Sequence, residues 1–287
     1  MTITINDLYI DLRRRFRAAG ISMAELEARE LTAFAAGADK RMTADWAYRY
    51  LDPDTAGRAY EMAERRVEGE PLAYILGEWD FCGHTFLVNK HVLIPRPDTE
   101  PLCALAIEDA KTLDAPKVLD LCCGSGCIGL SLLCAVPDAR CCAVDLSEDA
   151  LVVARENARR LGVAARYFTS AGNALSLPDA HLGAFDLMLC NPPYVTAAEM
   201  VELDRSVAAF EPRMALYGGD DGLDFYRNIA KNWVKMMNPG GRMYFECGWK
   251  QAQEVAAIFD AHGMNDIFMA EDLSGILRIL SLIHISE

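Results

Sequence analysis

Between Lys117 and Glu246 the chain alternates short strand-like runs with helix-like stretches, which predicts an α/β fold built on a doubly wound, mainly parallel sheet. Two further observations complete the architecture. Before Gly69 the apolar residues recur only at helical spacing, so a small N-terminal helical bundle is expected. Around Gly83 lie short β-prone runs, which predict a β-hairpin linker between the two parts. The expected boundaries are residues 1–75 for the bundle, 76–98 for the linker and 99–287 for the α/β domain. A chain of 287 residues has room for both.

Each element has a local reason. Ile5, Leu8, Tyr9, Leu12 and Phe16 line one face of a helix that runs up to Gly20. Ser22 with Glu25 has the spacing of a capping box opening a second helix towards Gly37. Thr43 is placed to cap a short third helix. A fourth runs from Asp54 to Val67 and stops at Gly69-Glu70-Pro71. No strand pattern interrupts this region. The hairpin is expected from runs 79–82 and 85–88 around Gly83, followed by Val92-Leu93-Ile94, and it is too apolar for a flexible tether. After Pro95-Arg96-Pro97-Asp98-Thr99-Glu100 a helix continues through Ala110. Strands are expected at 117–121, 139–145, 165–169, 185–190 and 241–246, with helices between most of them.

Composition narrows the class. Hydrophobic residues make up 52% of the chain, ample for a core, yet no apolar run is long and charge-free enough to span a bilayer. The first residues lack a basic segment followed by an apolar one, so no secretory signal is expected and the protein is placed in the cytoplasm, with no membrane partner. Ten cysteines occur without any CxxC pair, and none of the five histidines stands at zinc-ligand spacing from them. Buried free thiols are therefore expected, and no metal site. A formal net charge of −14 opposes the phosphate neutralisation on which nucleic-acid binding usually rests, and favours a protein partner instead. Arg13-Arg14-Arg15 is a local basic cluster, expected as a solvated helix face.

Two features carry chemistry. The apolar run ending at Cys190 leads directly into Asn191-Pro192-Pro193-Tyr194. The two prolines fix φ and lack N–H donors, which leaves the Asn191 side chain and the Pro192 carbonyl facing outward. Together these two oxygens can accept both hydrogens of a planar –NH2 group. Tyr194 adds an aromatic face and a hydroxyl beside them. By itself the tetrapeptide is equally a turn after a buried strand. Upstream, however, Asp120-Leu121-Cys122-Cys123-Gly124-Ser125-Gly126 reads as a strand entering a glycine turn and then a helix, where backbone N–H groups meet a ligand. Asp145 ends the next strand, where a carboxylate can accept both hydroxyls of a ribose. The turn is not a clean GxGxxG, so a nicotinamide dinucleotide is disfavoured. With Asp120 before the turn and Asn191 at a later strand end, the pattern points to S-adenosylmethionine, methyl transfer and a Rossmann-like domain.

Longer segments resemble one family closely. Gly69-Glu70-Pro71-Leu72-Ala73-Tyr74-Ile75-Leu76-Gly77, Leu93-Ile94-Pro95-Arg96-Pro97-Asp98-Thr99-Glu100, and Phe210-Glu211-Pro212-Arg213 through Gly218-Gly219-Asp220-Asp221-Gly222-Leu223-Asp224 are similar to the peptide chain release factor N5-glutamine methyltransferases, the HemK/PrmC family. The resemblance covers nearly the whole chain, and the linker motif separates it from amino-acceptor DNA methyltransferases. It implies a cofactor site at Asp120, Cys122, Cys123, Gly124, Ser125, Gly126, Asp145, Asn173 and Asn191. Within it, Gly124, Ser125 and Gly126 take the methionine end and Asp145 takes the ribose. Asn191, Pro192, Pro193 and Tyr194 would hold the substrate glutamine, with Asn191, Pro192 and Tyr194 as the catalytic group. Cys122 stands where many relatives have glycine, and Asn173 where an Asp commonly faces the adenine amine.

The resemblance further implies a class 1 release factor as substrate, methylated on the glutamine of its Gly-Gly-Gln loop, with the helical domain docking it. The expected enzyme is a monomer that binds no nucleic acid directly. Orientation and preorganised acceptors would supply most of the acceleration, without a general base. The alternative is a nucleic-acid base N-methyltransferase gripping an adenine or guanine amino group after base flipping; a scaffold that binds cofactor without turnover has no need of Asn191 and both prolines. Finally, residues 280–287 match a translated sequencing adapter, with a terminal strand as the plain alternative. No functional residue is expected after Ile279.

Overall fold

The first helix, Ile5–Ala18, buries Ile5, Leu8, Leu12 and Phe16 along one stripe, as its spacing requires. The computed structural model describes residues 3–38 and 47–283. Thr4 caps this helix by accepting the Asp7 N–H at 3.1 Å. Helices Ala24–Ala36, Pro53–Val67 and Leu72–Leu76 supply the facing residues Ala28, Leu31, Ala59, Ala63, Leu72 and Leu76. The small alanines let the helix axes approach closely. Asp52 caps the Pro53–Val67 helix through the Thr55 N–H at 2.9 Å.

Two expectations for this region change. The Ser22–Glu25 capping box does not form: Met23 is the N-cap, with no side-chain bond, and Glu25 instead pairs with Arg17. A strand does intrude, since β1 (Ile3–Thr4) pairs antiparallel with β2 (Tyr50–Leu51). Two residues each are too few to show alternation in a sequence. The expected cap at Thr43 lies outside the described residues. Arg14 and Arg15 both reach Asp11, and Arg13 and Arg15 lie over the rings of Tyr9 and Tyr60, so the basic cluster is a solvated helix face.

The chain packs as two units. One is Met1–Gly77 together with Arg205–Phe210; the other is Glu78–Asp204 with Glu211–Glu287. The membership of the short Arg205–Phe210 helix in the first unit has no sequence signature.

The second unit begins with the hairpin β3 (Glu78–Phe81) and β4 (His84–Leu87), whose Phe81 and Phe86 rings meet edge to face in the core. Its sheet has the order β10-β11-β9-β8-β5-β6-β7. The strands are β5 (Lys117–Leu121), β6 (Arg140–Asp145), β7 (Tyr167–Ala171), β8 (Phe185–Cys190), β9 (Met237–Glu246), β10 (Asn265–Glu271) and β11 (Leu277–Ile283). The pairs β5/β6, β6/β7, β5/β8 and β8/β9 are parallel, while β11 is antiparallel to both β9 and β10. Between β5 and β8 the winding reverses, which opens a crevice at the carboxyl ends of these strands.

The expected strands 117–121 and 185–190 coincide with β5 and β8. The third strand starts later than 165 because Ala164–Arg166 is a 3₁₀ turn, and β9 begins earlier, at Met237. At the tail, Leu280 and Leu282 are fully buried in β11, opposite Phe245 and Met243 of β9, so residues 280–283 complete a sheet strand, whatever the origin of that segment. Residues 284–287 lie outside the described set.

Candidate active site

At the switch point a cleft of about 910 Å³ out to its mouth is lined by Cys122, Cys123, Gly124 and Ser125 after β5, Asp145 after β6, Asn173, and Asn191 and Pro193 after β8. Each lining group sits where a strand ends, because there the backbone leaves the ladder and the side chain is free to face outward.

The turn after β5 is held from several sides. Cys122 adopts φ +61°, a left-handed conformation unusual for a residue with a side chain. Its N–H and that of Cys123 both reach Val144 O, at 2.8 and 3.2 Å. The Gly124 N–H donates to Asp145 Oδ2 at 2.8 Å. A Cβ at Gly124 would meet no protein atom within 4 Å, so this glycine leaves open space at the cleft wall. Gly126 is different: with φ +78°, a Cβ there would lie 2.5 Å from the Tyr167 hydroxyl. Buried Asn157 clamps the turn to the hairpin, donating to Ser125 O at 2.9 Å and to Leu87 O at 3.1 Å.

Asp145 uses both oxygens on backbone N–H groups, Gly124 by Oδ2 and Ser147 by Oδ1 at 2.9 Å. Burial pushes its carboxyl above the ordinary value, and these two N–H bonds oppose the shift. The residue lines the cleft with lone pairs to spare on both oxygens. Asp120 departs from the cofactor-contact expectation. It is 1% exposed, lies under the turn rather than in the cleft lining, and accepts the Gly129 N–H at 3.1 Å. Burial raises its pKa to about 7. It supports the following helix from beneath. Asn173 lines the cleft, but its Oδ1 already accepts the Leu175 N–H at 2.8 Å, leaving one lone pair and the –NH2 group for a ligand.

At the end of β8, Asn191 and Pro193 line the cleft and Pro192 is buried beside them. The Asn191 Nδ2 donates to Thr99 Oγ1 at 3.2 Å. The Tyr194 hydroxyl does not face the same side, since it donates to Glu246 Oε1 at 3.1 Å, and burial raises its pKa far above the ordinary phenol. The backbone of this segment is gripped by the Gly218–Gly222 stretch. A Cβ at Gly218 would lie 2.5 Å from Pro193 O, the Val195 N–H reaches Leu216 O at 2.8 Å, and Gln251 Nε2 reaches Tyr194 O at 3.1 Å. Buried Glu211 accepts from the Ile94 N–H at 3.1 Å and from Arg96, which fixes the strip that carries Pro95 and Thr99. The sequence motifs contained these residues, but only the structure shows which atoms they hold. Thr99, Glu246 and Gln251 carried no signal of their own as single polar residues.

Two family models match the chain: "PrmC N-terminal domain" over residues 7–77 and "Methyltransferase small domain" over residues 103–208. A release factor glutamine methyltransferase of Bradyrhizobium diazoefficiens is 39% identical over 274 residues, spanning 94% of this chain and 91% of that protein. One from Geobacter sulfurreducens is 39% identical over 262 residues, spanning 91% and 90%. Among solved structures, a methyltransferase from Pyrococcus furiosus matches with a TM-score of 0.50 at 16% identity, covering 69% of this chain and 87% of that one, a likeness of fold alone.

Proposed function

Because the chain belongs to the release factor glutamine methyltransferase family, we propose that it methylates the side-chain amide nitrogen of the glutamine in the Gly-Gly-Gln motif of class 1 peptide chain release factors, with S-adenosylmethionine as donor. One observation carries this reading: Asn191, whose –NH2 end is already engaged by Thr99, stands on the wall of the same cleft as Asp145 and Gly124. An acceptor for a planar amide and a cradle for a nucleoside cofactor then share one space.

The residues present fit S-adenosylmethionine. Gly124 leaves the cleft wall open, Asp145 offers lone pairs to the ribose, and Asn173 offers a lone pair and an –NH2 group to the adenine edge. When bound, this cofactor supplies an electrophilic methyl group. A glutamine amide nitrogen is a weak nucleophile because its lone pair is delocalised. Asn191 Oδ1 and the Pro192 carbonyl accept its two N–H bonds, aim the lone pair into the cleft and stabilise positive charge developing on nitrogen. Among the described residues no hydrogen bond ends on the Pro192 carbonyl or on Asn191 Oδ1, so both remain open for this task. The surplus proton is released to water after transfer.

The helical unit is proposed to dock the release factor. Among the described residues no helix is long and apolar enough to cross a membrane, and we place the enzyme in the cytoplasm, acting as a monomer. The decisive experiment offers radiolabelled S-adenosylmethionine with purified class 1 release factor, with DNA, or with no acceptor. Label on the release factor glutamine is expected. Label on DNA alone would overturn the reading in favour of a base methyltransferase.

A further inference from the structure

Behind Asn191 runs a chain of hydrogen bonds that ends on a buried acid. Asn191 Nδ2 meets Thr99 Oγ1 at 3.2 Å, Thr99 Oγ1 meets Glu246 Oε2 at 2.5 Å, and the Tyr194 hydroxyl meets Glu246 Oε1 at 3.1 Å. Thr99 is 2% exposed and Glu246 1%. These residues come from the turn before the Glu100–Ala110 helix, from the end of β9 and from the segment after β8. Nothing in the packing of the sheet requires a carboxylate at the end of β9, where an apolar residue would avoid the cost of burying a charge.

The oxygen and nitrogen ends of an asparagine amide are distinguished only by what they touch. Here the direction is dictated from the acid outward. An ionised carboxylate has no proton to give, so both hydroxyls that touch it must donate. Thr99 is then left with lone pairs alone for its other neighbour. That neighbour must be the –NH2 end of Asn191, and the amide oxygen is turned away from Thr99. Had Glu246 been a leucine, the Thr99 hydroxyl could rotate and either accept from the –NH2 end of the amide or donate to its oxygen. Burial pushes the Glu246 carboxyl above its usual value, and the Thr99 and Tyr194 hydroxyls and the Arg278 charge oppose that shift.

We propose that Thr99 and Glu246 are positioning residues for methyl transfer: they lock the Asn191 amide with its oxygen towards the substrate and polarise it through the intervening hydroxyl. An amide whose N–H is donated into a chain ending on a negative charge carries more electron density on its oxygen. That oxygen is then the better acceptor for a substrate N–H that becomes more acidic as positive charge builds on nitrogen. The proposal rests on Asn191 being the acceptor of the substrate amide.

The test compares Thr99→Val, which keeps the shape and removes the hydroxyl, with Thr99→Ser, which keeps the hydroxyl. Calorimetry with S-adenosylmethionine should give both variants the parent affinity. In Thr99→Val, kcat should fall roughly ten- to hundredfold with little change in KM for release factor, short of the roughly hundred- to thousandfold cost of deleting a preorganised hydrogen-bonding group. Thr99→Ser should recover most of that loss. A readout independent of turnover is the side-chain amide of Asn191 in protein labelled with ¹⁵N-asparagine. Its two hydrogens should be distinct and slow to exchange in the parent and in Thr99→Ser, and lose that protection in Thr99→Val.

Parent-like turnover in folded Thr99→Val, or equal damage in Thr99→Ser, would overturn the proposal. Glu246→Gln, measured alongside, gives a second route should Thr99→Val not fold. Loss of kcat at constant KM supports the polarising charge, and unchanged kcat refutes it. Asn191→Ala separates this idea from the one it rests on. If Asn191→Ala is inactive while Thr99→Val is normal, only the positioning role fails. If Asn191→Ala turns over normally, the acceptor assignment itself is wrong.

Discussion

Replacing Asp145 with alanine removes two acceptors from the turn and a carboxylate from the cleft at once, and these two losses separate in measurement. In the free protein the Gly124 and Ser147 N–H groups lose bonds of 2.8 and 2.9 Å. Hydrogen bonds to a charged group contribute about 1.5–3 kcal/mol each, but here the desolvated charge disappears with them and water from the open cleft can replace the acceptor. We therefore expect a net stability loss of only about 1–2 kcal/mol, a fall in Tm of roughly 2–8 °C. Cofactor binding should suffer more. Losing one to two charge-assisted bonds to ribose hydroxyls should raise the Kd for S-adenosylmethionine at least tenfold and up to about a thousandfold. Titration calorimetry reads the Kd and differential scanning calorimetry the Tm. Asp145→Asn should bind almost as poorly, because its –NH2 end must face one of two backbone donors. An affinity within twofold of the parent in either variant would refute the ribose assignment, whatever happened to Tm.

The same residue couples pH to both properties with opposite signs. Burial raises the Asp145 pKa in the folded state above its unfolded value near 3.8. The folded protein therefore holds this proton more tightly than the unfolded chain does. The associated stabilisation is complete below the unfolded pKa and is lost as pH rises through the folded one. Ribose binding needs the ionised form, so affinity should decline on the acid side starting above the ordinary aspartate range. Acidification through that window should strengthen this residue's contribution to the apo fold while weakening its grip on the cofactor.

Three other outcomes follow from the same geometry. Gly126→Ala places a Cβ 2.5 Å from the Tyr167 hydroxyl at φ +78°, and should cost roughly 2–5 kcal/mol in denaturant unfolding; parent stability would show that the turn can shift without cost. Cys122→Gly relieves a left-handed cysteine at φ +61° and should gain up to about 1 kcal/mol after the entropy of glycine is subtracted, read by denaturant unfolding; a loss of stability would mean that the thiol packs better than its backbone suggests. Truncation after Ile279 exposes the core that Leu280 and Leu282 cover, and should destabilise the sheet by roughly 3–6 kcal/mol; an unchanged melting curve would return residues 280–283 to the status of a passive tail.

Much of the cleft was legible because its residues sit at strand ends, where sequence gives two independent cues. β5 and β8 are apolar runs closed by residues that cannot continue a strand, glycine in one case and Asn191-Pro192 in the other. The positions of Gly124 and Asn191 followed from that punctuation, and that of Asp145 from its place at the end of β6. What escaped was long-range pairing. Thr99 and Glu246 are 147 residues apart in the chain, and neither the linker motif that contains Thr99 nor the strand that ends in Glu246 shows that the two meet. Asp120 was placed one layer too far forward, because a sequence does not show whether a strand-end carboxylate turns outward or under the following helix. The role of Gly218 and Gly222, leaving room for the backbone of Pro193 and Tyr194, is equally invisible until the two segments are seen together.

The composition of the first unit has a temporal consequence. Its six-residue helix Arg205–Phe210, which packs near Gly69, is encoded about 130 residues after the other members of that unit. At typical synthesis rates of about 5–20 residues per second, the ribosome delivers this last piece roughly 6–25 s after Gly77. The apolar core of this unit is drawn from Ile5 to Leu76 and Arg205–Phe210 buries no residue, so the late helix arrives onto a core whose residues have all been made. An isolated fragment of residues 1–77 therefore carries every residue of that core and lacks only the cover that Arg205 and Phe210 lay near Gly69.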